Sequence, residues 1–161
     1  MRQDAAQTPS PSIDVQLICL KLGTEEYGLG IMQIKEVIRY QKIVPLPKAP
    51  LFIEGVINLR GMAIPIIDLR KRFNLSADVN PSTKIIIAQV ENRIIGLVVD
   101  DVTDIITLHK DSLLPPPEMI KGVEAEYLDG IVNIGGEGLL FIINLDRVLT
   151  GKEKGLLEVS L

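Results

Sequence analysis

This chain is written twice, and that constrains its fold more than any other feature. The stretch Gly55-Val56-Ile57-Asn58-Leu59-Arg60-Gly61, followed by Ile64-Pro65-Ile66-Ile67-Asp68-Leu69-Arg70, recurs as Gly130-Ile131-Val132-Asn133-Ile134-Gly135-Gly136, followed by Leu140-Phe141-Ile142-Ile143-Asn144-Leu145-Asp146. A second block precedes it each time. Tyr27-Gly28-Leu29-Gly30-Ile31-Met32-Gln33-Ile34-Lys35-Glu36-Val37-Ile38 lines up with Ile95-Gly96-Leu97-Val98-Val99-Asp100-Asp101-Val102-Thr103-Asp104-Ile105-Ile106. Between the blocks, Ile43-Val44-Pro45-Leu46-Pro47 answers Leu113-Leu114-Pro115-Pro116-Pro117. The order is kept throughout, so the chain divides into related halves, roughly 13–76 and 83–150. The polar, turn-rich stretch from Ser76 to Ser82, with Asn80-Pro81, joins them.

Each half reads mainly as strand. Val15 to Leu22 and Tyr27 to Ile31 flank a turn at Gly23-Thr24-Glu25-Glu26. Lys84 to Val90 and Ile94 to Val99 flank one at Glu91-Asn92-Arg93. Short apolar runs between tight turns predict hairpins. The spacing of Ile31, Ile34, Val37 and Ile38 predicts a short helix near 31–38. Val99, Val102, Ile105 and Ile106 share that spacing, yet Val and Ile favour strand, so helix and strand both stay open there. Asp68 and Asn144 follow apolar strands and are read as helix N-caps. Leu69 to Phe73 and Leu145 to Leu149 are then short helical turns, stopped by Asn74 and Gly151. Strands this short, with glycine turns, fit small closed barrels, which leave no exposed edge. The expected fold is mostly β, two small barrels related by duplication with an aliphatic interface. A flexible tail is expected at 1–12 and a second tail at 151–161.

Composition excludes several functions. Hydrophobic residues are 47% of the chain and aromatics only 4%, so its core is aliphatic. A net charge of −4 and few stacking aromatics oppose a nucleic-acid surface. No apolar run approaches the roughly 20 residues of a membrane helix. Met1 to Ser12 is polar and carries Pro9 and Pro11, unlike a signal peptide or anchor. A single cysteine, Cys19, cannot form an internal disulfide, which fits a reducing cytoplasm.

Catalytic constellations are missing from the sequence, and no enzyme or cofactor is expected. His109, the one histidine, rules out a multi-histidine metal site and reads as a surface residue. Cys19 sits in an apolar strand pattern and reads as an inert buried thiol. Gly135-Gly136-Glu137-Gly138 lies between strands and reads as a hairpin turn rather than a phosphate loop. Asp100, Asp101 and Asp104 lack the glycine and terminal glutamate of a calcium loop and read as solvated surface. One difference between the copies stands out. Arg60 sits beside the turn glycine of the first, where the second has Gly135. What folding needs should persist in both copies, so this arginine is a candidate for recognition.

The first copy resembles the signature of CheW-like domains in both its parts, Gly55 to Gly61 and Ile64 to Arg70. The resemblance continues in Glu26-Tyr27-Gly28, Ile34-Lys35-Glu36-Val37-Ile38, Gly96-Leu97-Val98-Val99-Asp100 and Glu126-Tyr127-Leu128-Asp129-Gly130, and it covers roughly residues 13–150. It implies two SH3-like barrels packed around a hydrophobic interface. It also implies a cytoplasmic, non-catalytic adaptor recruited to membrane-associated receptor arrays. Such an adaptor couples the signalling tips of methyl-accepting chemoreceptors to the CheW-like regulatory domain of the histidine kinase CheA. A scaffold of a pilus-type or other receptor–kinase pathway is the alternative output.

The resemblance also implies site residues. Arg60 and Glu36 match positions tied to receptor binding. Arg60 also reads, more plainly, as a turn charge that is solvated or paired with Glu36 or Asp68. Ile34, Val99 and Val102 are expected to line an apolar groove between the barrels that takes a receptor helix, or else simply to be core. Gly55 and Gly130 match positions that affect kinase binding, beside a main role in backbone conformation.

Overall fold

The computed structural model describes residues 14–116, 125–136 and 138–157. The expected tail 1–12 lies outside them. Among the described residues ten strands form two five-stranded sheets, ordered β8-β1-β2-β10-β9 and β3-β6-β7-β5-β4. The strands are β1 (Asp14–Leu22), β2 (Glu25–Gly30), β3 (Ile34–Arg39), β4 (Gly55–Leu59), β5 (Met62–Asp68), β6 (Lys84–Val90), β7 (Arg93–Val99), β8 (Asp101–His109), β9 (Leu128–Gly135) and β10 (Gly138–Ile143). Short helices α1 (Leu69–Arg72), α2 (Leu145–Val148) and α3 (Gly151–Leu156) follow β5 and β10. In each sheet the chain leaving one edge strand returns to the other edge. Val44, beyond β3, bridges Val56 of β4, and Leu114, beyond β8, bridges Ile131 of β9. Each sheet thereby curls into a barrel.

The barrels do not coincide with the sequence halves. The β1–β2 hairpin of the first half sits in the sheet built from β8, β9 and β10 of the second. The β6–β7 hairpin of the second half sits with β3, β4 and β5 of the first. The halves exchange hairpins, so neither barrel is the span 13–76 or 83–150 alone. Parallel pairing seats each guest hairpin. Gly28 of β2 pairs with Ile142 of β10, and Gly96 of β7 pairs with Ile66 of β5. The isoleucine lies over the glycine: a Cβ at Gly28 would meet Ile142 Cδ1 at 3.1 Å, and one at Gly96 would collide with Ile66 Cδ1 unless that side chain moved.

The exchange creates three cores. Ile57, Ile64, Ile66, Ile85, Ile87 and Val98 fill one barrel, and Leu17, Cys19, Val132, Leu140 and Ile142 fill the other. Between them lies the largest cluster, including Leu20, Leu29, Ile67, Phe73, Ile86, Leu97, Val99 and Ile143. Strands β6 and β7 separate two of these cores. Ile85 and Ile87 point into a barrel, Ile86 and Ala88 into the interface. Burial on both faces explains their unbroken apolar runs.

The segment expected as a helix at 31–38 is a 3-10 turn at Ile31–Gln33 followed by strand β3. A bulge breaks the register between Ile34 and Glu36, leaving Lys35 as the extra residue. Ile34 then pairs with Ala88 and packs on the interface, whereas Ile38 pairs with Ile85 and packs inside the barrel. The turn and bulge space the apolar positions as a helix does. The open segment 99–106 resolves as the end of β7 and most of β8, with its own register break, where Leu20 faces Val102 and Cys19 faces Asp104. Asp68 caps α1 as expected, accepting from the Arg70 amide at 2.9 Å. Asn144 does not cap with its side chain; its Nδ2 donates to Asp129 Oδ1 at 2.8 Å. Gly151 is not a stop. It opens α3, which a Thr150/Glu153 capping box begins, and Leu157 is buried in the interface cluster. The expected C-terminal tail is therefore docked structure at least to Leu157.

Candidate functional site

Arg60 stands at the tip of the β4–β5 hairpin with φ +50, in the left-handed region. A non-glycine residue there costs roughly 1–2 kcal/mol. The second copy avoids that cost, with Gly135 at φ +111 in the matching place. Arginine is not what holds the turn. Asn58 Oδ1 accepts from the Gly61 amide three residues on at 2.9 Å, and Asn133 Oδ1 accepts from the Gly135 amide two residues on at 2.8 Å, so an asparagine ties each turn. The Arg60 guanidinium reaches Glu36 of β3 in an ion pair that is also a hydrogen bond. β3 and β4 are opposite edges of their sheet, so the pair spans the seam where the barrel closes. Its side chains are 68% and 34% exposed. An exposed pair contributes about 0–1 kcal/mol, too little to explain a strained arginine by stability alone.

The apolar candidates separate by depth. Ile34 and Val102 are half-buried and pack on the interface cluster, whereas Val99 lies wholly within it. Ile34, Val102 and Val99 thus belong to one cluster, but Val99 is buried within it rather than forming its surface. Gly55 and Gly130 are buried at the closing bridges. A Cβ on Gly55 would collide with the Val44 carbonyl oxygen, and one on Gly130 with that of Leu114. Gly55 also has φ +150. Both glycines are required by backbone approach.

Sequence reasoning missed Arg70. It is 1% exposed and sits at a junction of elements. Asp68 accepts from its Nε and Nη2 at 3.0 Å each, Asp100 Oδ1 from Nη1 at 3.0 Å, and the Asp78 carbonyl from Nη1 at 2.7 Å. Burial opposes its charge, and the hydrogen bonds to Asp68 and Asp100 more than offset this, raising its pKa. Asp100 also accepts from the Gly23 amide at 2.7 Å, so one arginine ties β5, the β7–β8 junction, the linker and the β1–β2 turn. Asp100 is therefore structural rather than simply solvated. The signal was present: Arg70, like Arg60, has no counterpart in the second copy, where Asp146 stands.

Two expected inert groups are placed. Cys19 is buried, and burial followed by repulsion from Glu26 and Asp104 pushes its thiol pKa up to about 11. His109 ends β8 on the surface, 3.6 Å from Asp14 Oδ1. Among the described residues no group of three or more His, Cys, Asp or Glu is placed to hold a metal ion. No described helix is long and apolar enough to cross a membrane.

Two interlocked barrels presenting a strained, ion-paired arginine beside half-buried apolar side chains define a protein-interaction domain. The chain belongs to the CheW-like domain family, whose model matches residues 16–153. This family consists of non-catalytic scaffolds. The chain is 35% identical over 143 residues to a chemotaxis protein CheW of Treponema pallidum, covering 86% of this chain and 84% of that protein. It is 34% identical to the one from Klebsiella aerogenes, covering 91% and 89%. The protein FrzA of Myxococcus xanthus is 27% identical over 92% of this chain. Among solved structures, the scaffolding protein TtCheW from Thermoanaerobacter tengcongensis superposes with a TM-score of 0.76. It shares 32% sequence identity, and the match covers 92% of this chain and 94% of that one.

Proposed function

We propose that this chain is a chemotaxis adaptor that couples chemoreceptor signalling tips to the histidine kinase CheA, with its receptor face at the β3 edge. The strained Arg60, held to Glu36 across the barrel seam, supports this reading, because the second copy turns on two glycines, Gly135 and Gly136, and needs no arginine. A guanidinium offers a planar fork of donors to a partner's carboxylate or carbonyls. Ile34 and Val102 supply the apolar part of the face, and Val99 belongs to the buried cluster on which they pack. Gly55 and Gly130 contribute to kinase binding indirectly, by setting the path of the segments at the two barrel seams.

The test is co-sedimentation with cognate receptor signalling tips and CheA, together with receptor-dependent kinase activity. The expected result is a ternary complex that Arg60→Glu weakens while the melting temperature stays nearly constant. Failure of the unaltered chain to join any cognate receptor and kinase would overturn coupling. A large drop in melting temperature in Arg60→Glu would return Arg60 to a structural role.

A further inference from the structure

Gly30 has no conformational or steric reason to be a glycine. It ends β2 with φ −61 and ψ 128, which any residue can adopt, and a Cβ there would meet nothing within 4 Å. The strand registers identify its counterpart. Gly30 lies opposite Leu17 as Val98 lies opposite Ile85, and the parallel pairs Gly28–Ile142 and Gly96–Ile66 seat both hairpins alike. Val98 is 1% exposed and fills the core of the first barrel. Tyr40 packs against the same core, two residues beyond Ile38, which pairs with Ile85. In the second barrel Ile106 pairs with Leu17, and two residues beyond it stands Leu108. This end of the second barrel therefore lacks an isopropyl group and an aromatic ring that the first contains.

The walls are kept although the filling is lost. Ile57, Ile66 and Ile85 of the first barrel correspond to Val132, Ile142 and Leu17 of the second, all apolar and buried. Between them the second barrel holds a cavity of about 260 Å³, lined by Gly30, those three residues, Leu108 and Leu113. Gln33, Lys110, Asn144 and Asp146 add polar groups to its lining, and Lys110 and Asp146 are exposed. Ile34, Glu36, Arg60, Val99 and Val102 do not line it.

We propose that this cavity receives an aromatic side chain of the phenylalanine type from a partner protein. An apolar cavity of about 150 Å³ is enough to take benzene, so a ring with its attached carbon fits here. Unfilled apolar space costs stability, and a valine at position 30 would fill much of it, as Val98 does in the first barrel. Glycine leaves that room for a guest. The exposed charges are of opposite sign and favour a neutral guest. The carboxamides of Gln33 and Asn144 can both donate to and accept from the peptide groups that flank an inserted side chain. Aromatic anchors seated in such pockets dominate the energy of many protein interfaces. A protein as the source follows from the scaffold family, and the receptor face proposed above plays no part.

The experiment labels the Leu, Val and Ile methyl groups of the full chain and titrates N-acetyl-phenylalanine amide. N-acetyl-alanine amide serves as the backbone without a ring, and toluene as the ring without a backbone. The expected result is a saturable shift of the Leu17, Leu108, Leu113, Val132 and Ile142 methyl signals with the phenylalanine probe and none with the alanine probe. Gly30→Val should weaken that binding about tenfold or more, with a melting temperature unchanged or raised. Gly30→Ala, which adds one carbon, should fall between. No saturable shift, equal shifts with the alanine probe, or full binding to a folded Gly30→Val would each overturn the cavity as a site and leave the coupling function untouched. A marked fall in melting temperature in both Gly30 variants would show the space to be already filled, and would overturn it too. Saturable binding of toluene without binding of the phenylalanine probe would overturn a partner's side chain as the guest.

Discussion

Two arginines absent from the second copy teach different things at the scale of the residue. Arg60 is exposed and strained, and Arg70 is buried and satisfied. Removing one partner of a buried ion pair leaves the other charge stranded in the interior, so Arg70→Ala should cost about 3–5 kcal/mol. Arg60→Gly relieves the positive φ and breaks an exposed pair, so it should change stability by under about 1 kcal/mol. Urea unfolding monitored by far-ultraviolet circular dichroism compares them, and equal losses would sink the distinction. The rule that a charge present in one copy signals recognition therefore holds only once burial is known. The sequence alone exposed the asymmetry at Arg60; what it lacked at Arg70 was the location of Asp100 and Asp78, distant in the chain. Cys19 was read correctly because its apolar neighbours are adjacent in sequence. With its thiol pKa raised to about 11, it should resist a thiol reagent in the native state at neutral pH and react on unfolding. Rapid native labelling would contradict that.

At the scale of the element, the two closing bridges and α3 decide how much of the chain is held. A Cβ at Gly130 would strike the Leu114 carbonyl, which is backbone and cannot swing aside, so Gly130→Ala should lose about 1–3 kcal/mol through overpacking. Any loss of kinase binding in that variant should follow its loss of stability. A binding defect with unchanged melting temperature would instead make Gly130 a direct contact. Helix α3 straps the second half to the other barrel, through Glu153 to Arg72 at 2.9 Å and Lys154 to Glu91 at 2.9 Å. Burial raises the Glu153 pKa, but the Thr150 amide and Arg72 outweigh it and hold it below its ordinary value. A depressed carboxylate stabilises the fold above its unfolded pKa, and that contribution is lost as pH falls through the lower folded value. The strap should therefore loosen below about pH 4.5, and Glu153→Gln should flatten the acid side of a stability-against-pH curve. An identical acid slope in Glu153→Gln would remove Glu153 from that role. Strands β1, β6 and β7 were legible because their apolar runs are local. β3 was not, since a 3-10 turn and a bulge gave it helical spacing. α3 was missed because its Thr150–Glu153 cap lies just where Gly151 looked like an ending.

At the scale of the whole molecule, the duplication was visible in the sequence and the exchange was not. Repeats record ancestry along the chain, whereas pairing depends on which edge each hairpin meets, and both sheets offer the same parallel edge to either hairpin. The guest hairpins also carry much of the interface cluster, through Leu20, Leu22, Leu29, Ile86, Leu97 and Val99. A half cut at the linker would keep its own hairpin while facing an empty place in its sheet. To fill that place within one short chain, the hairpin would have to reverse across the barrel through the Gly30–Ile34 or Val99–Asp101 crossing. Those crossings span the interface in the native fold. Neither 1–80 nor 81–161 should therefore fold as a monomer, and each should expose the apolar faces of its own hairpin and of its unpaired edge, β5 in the first and β10 in the second. Mixed together, they should assemble one to one and recover the native circular dichroism spectrum and a cooperative melt, since the interface cluster and the Arg72–Glu153 bond are restored between the fragments. Analytical ultracentrifugation with thermal melts tests this. A cooperative, monomeric melt from either half alone would show that a hairpin can close its own barrel, and would make the exchange incidental rather than the device that locks the two barrels into one docking surface.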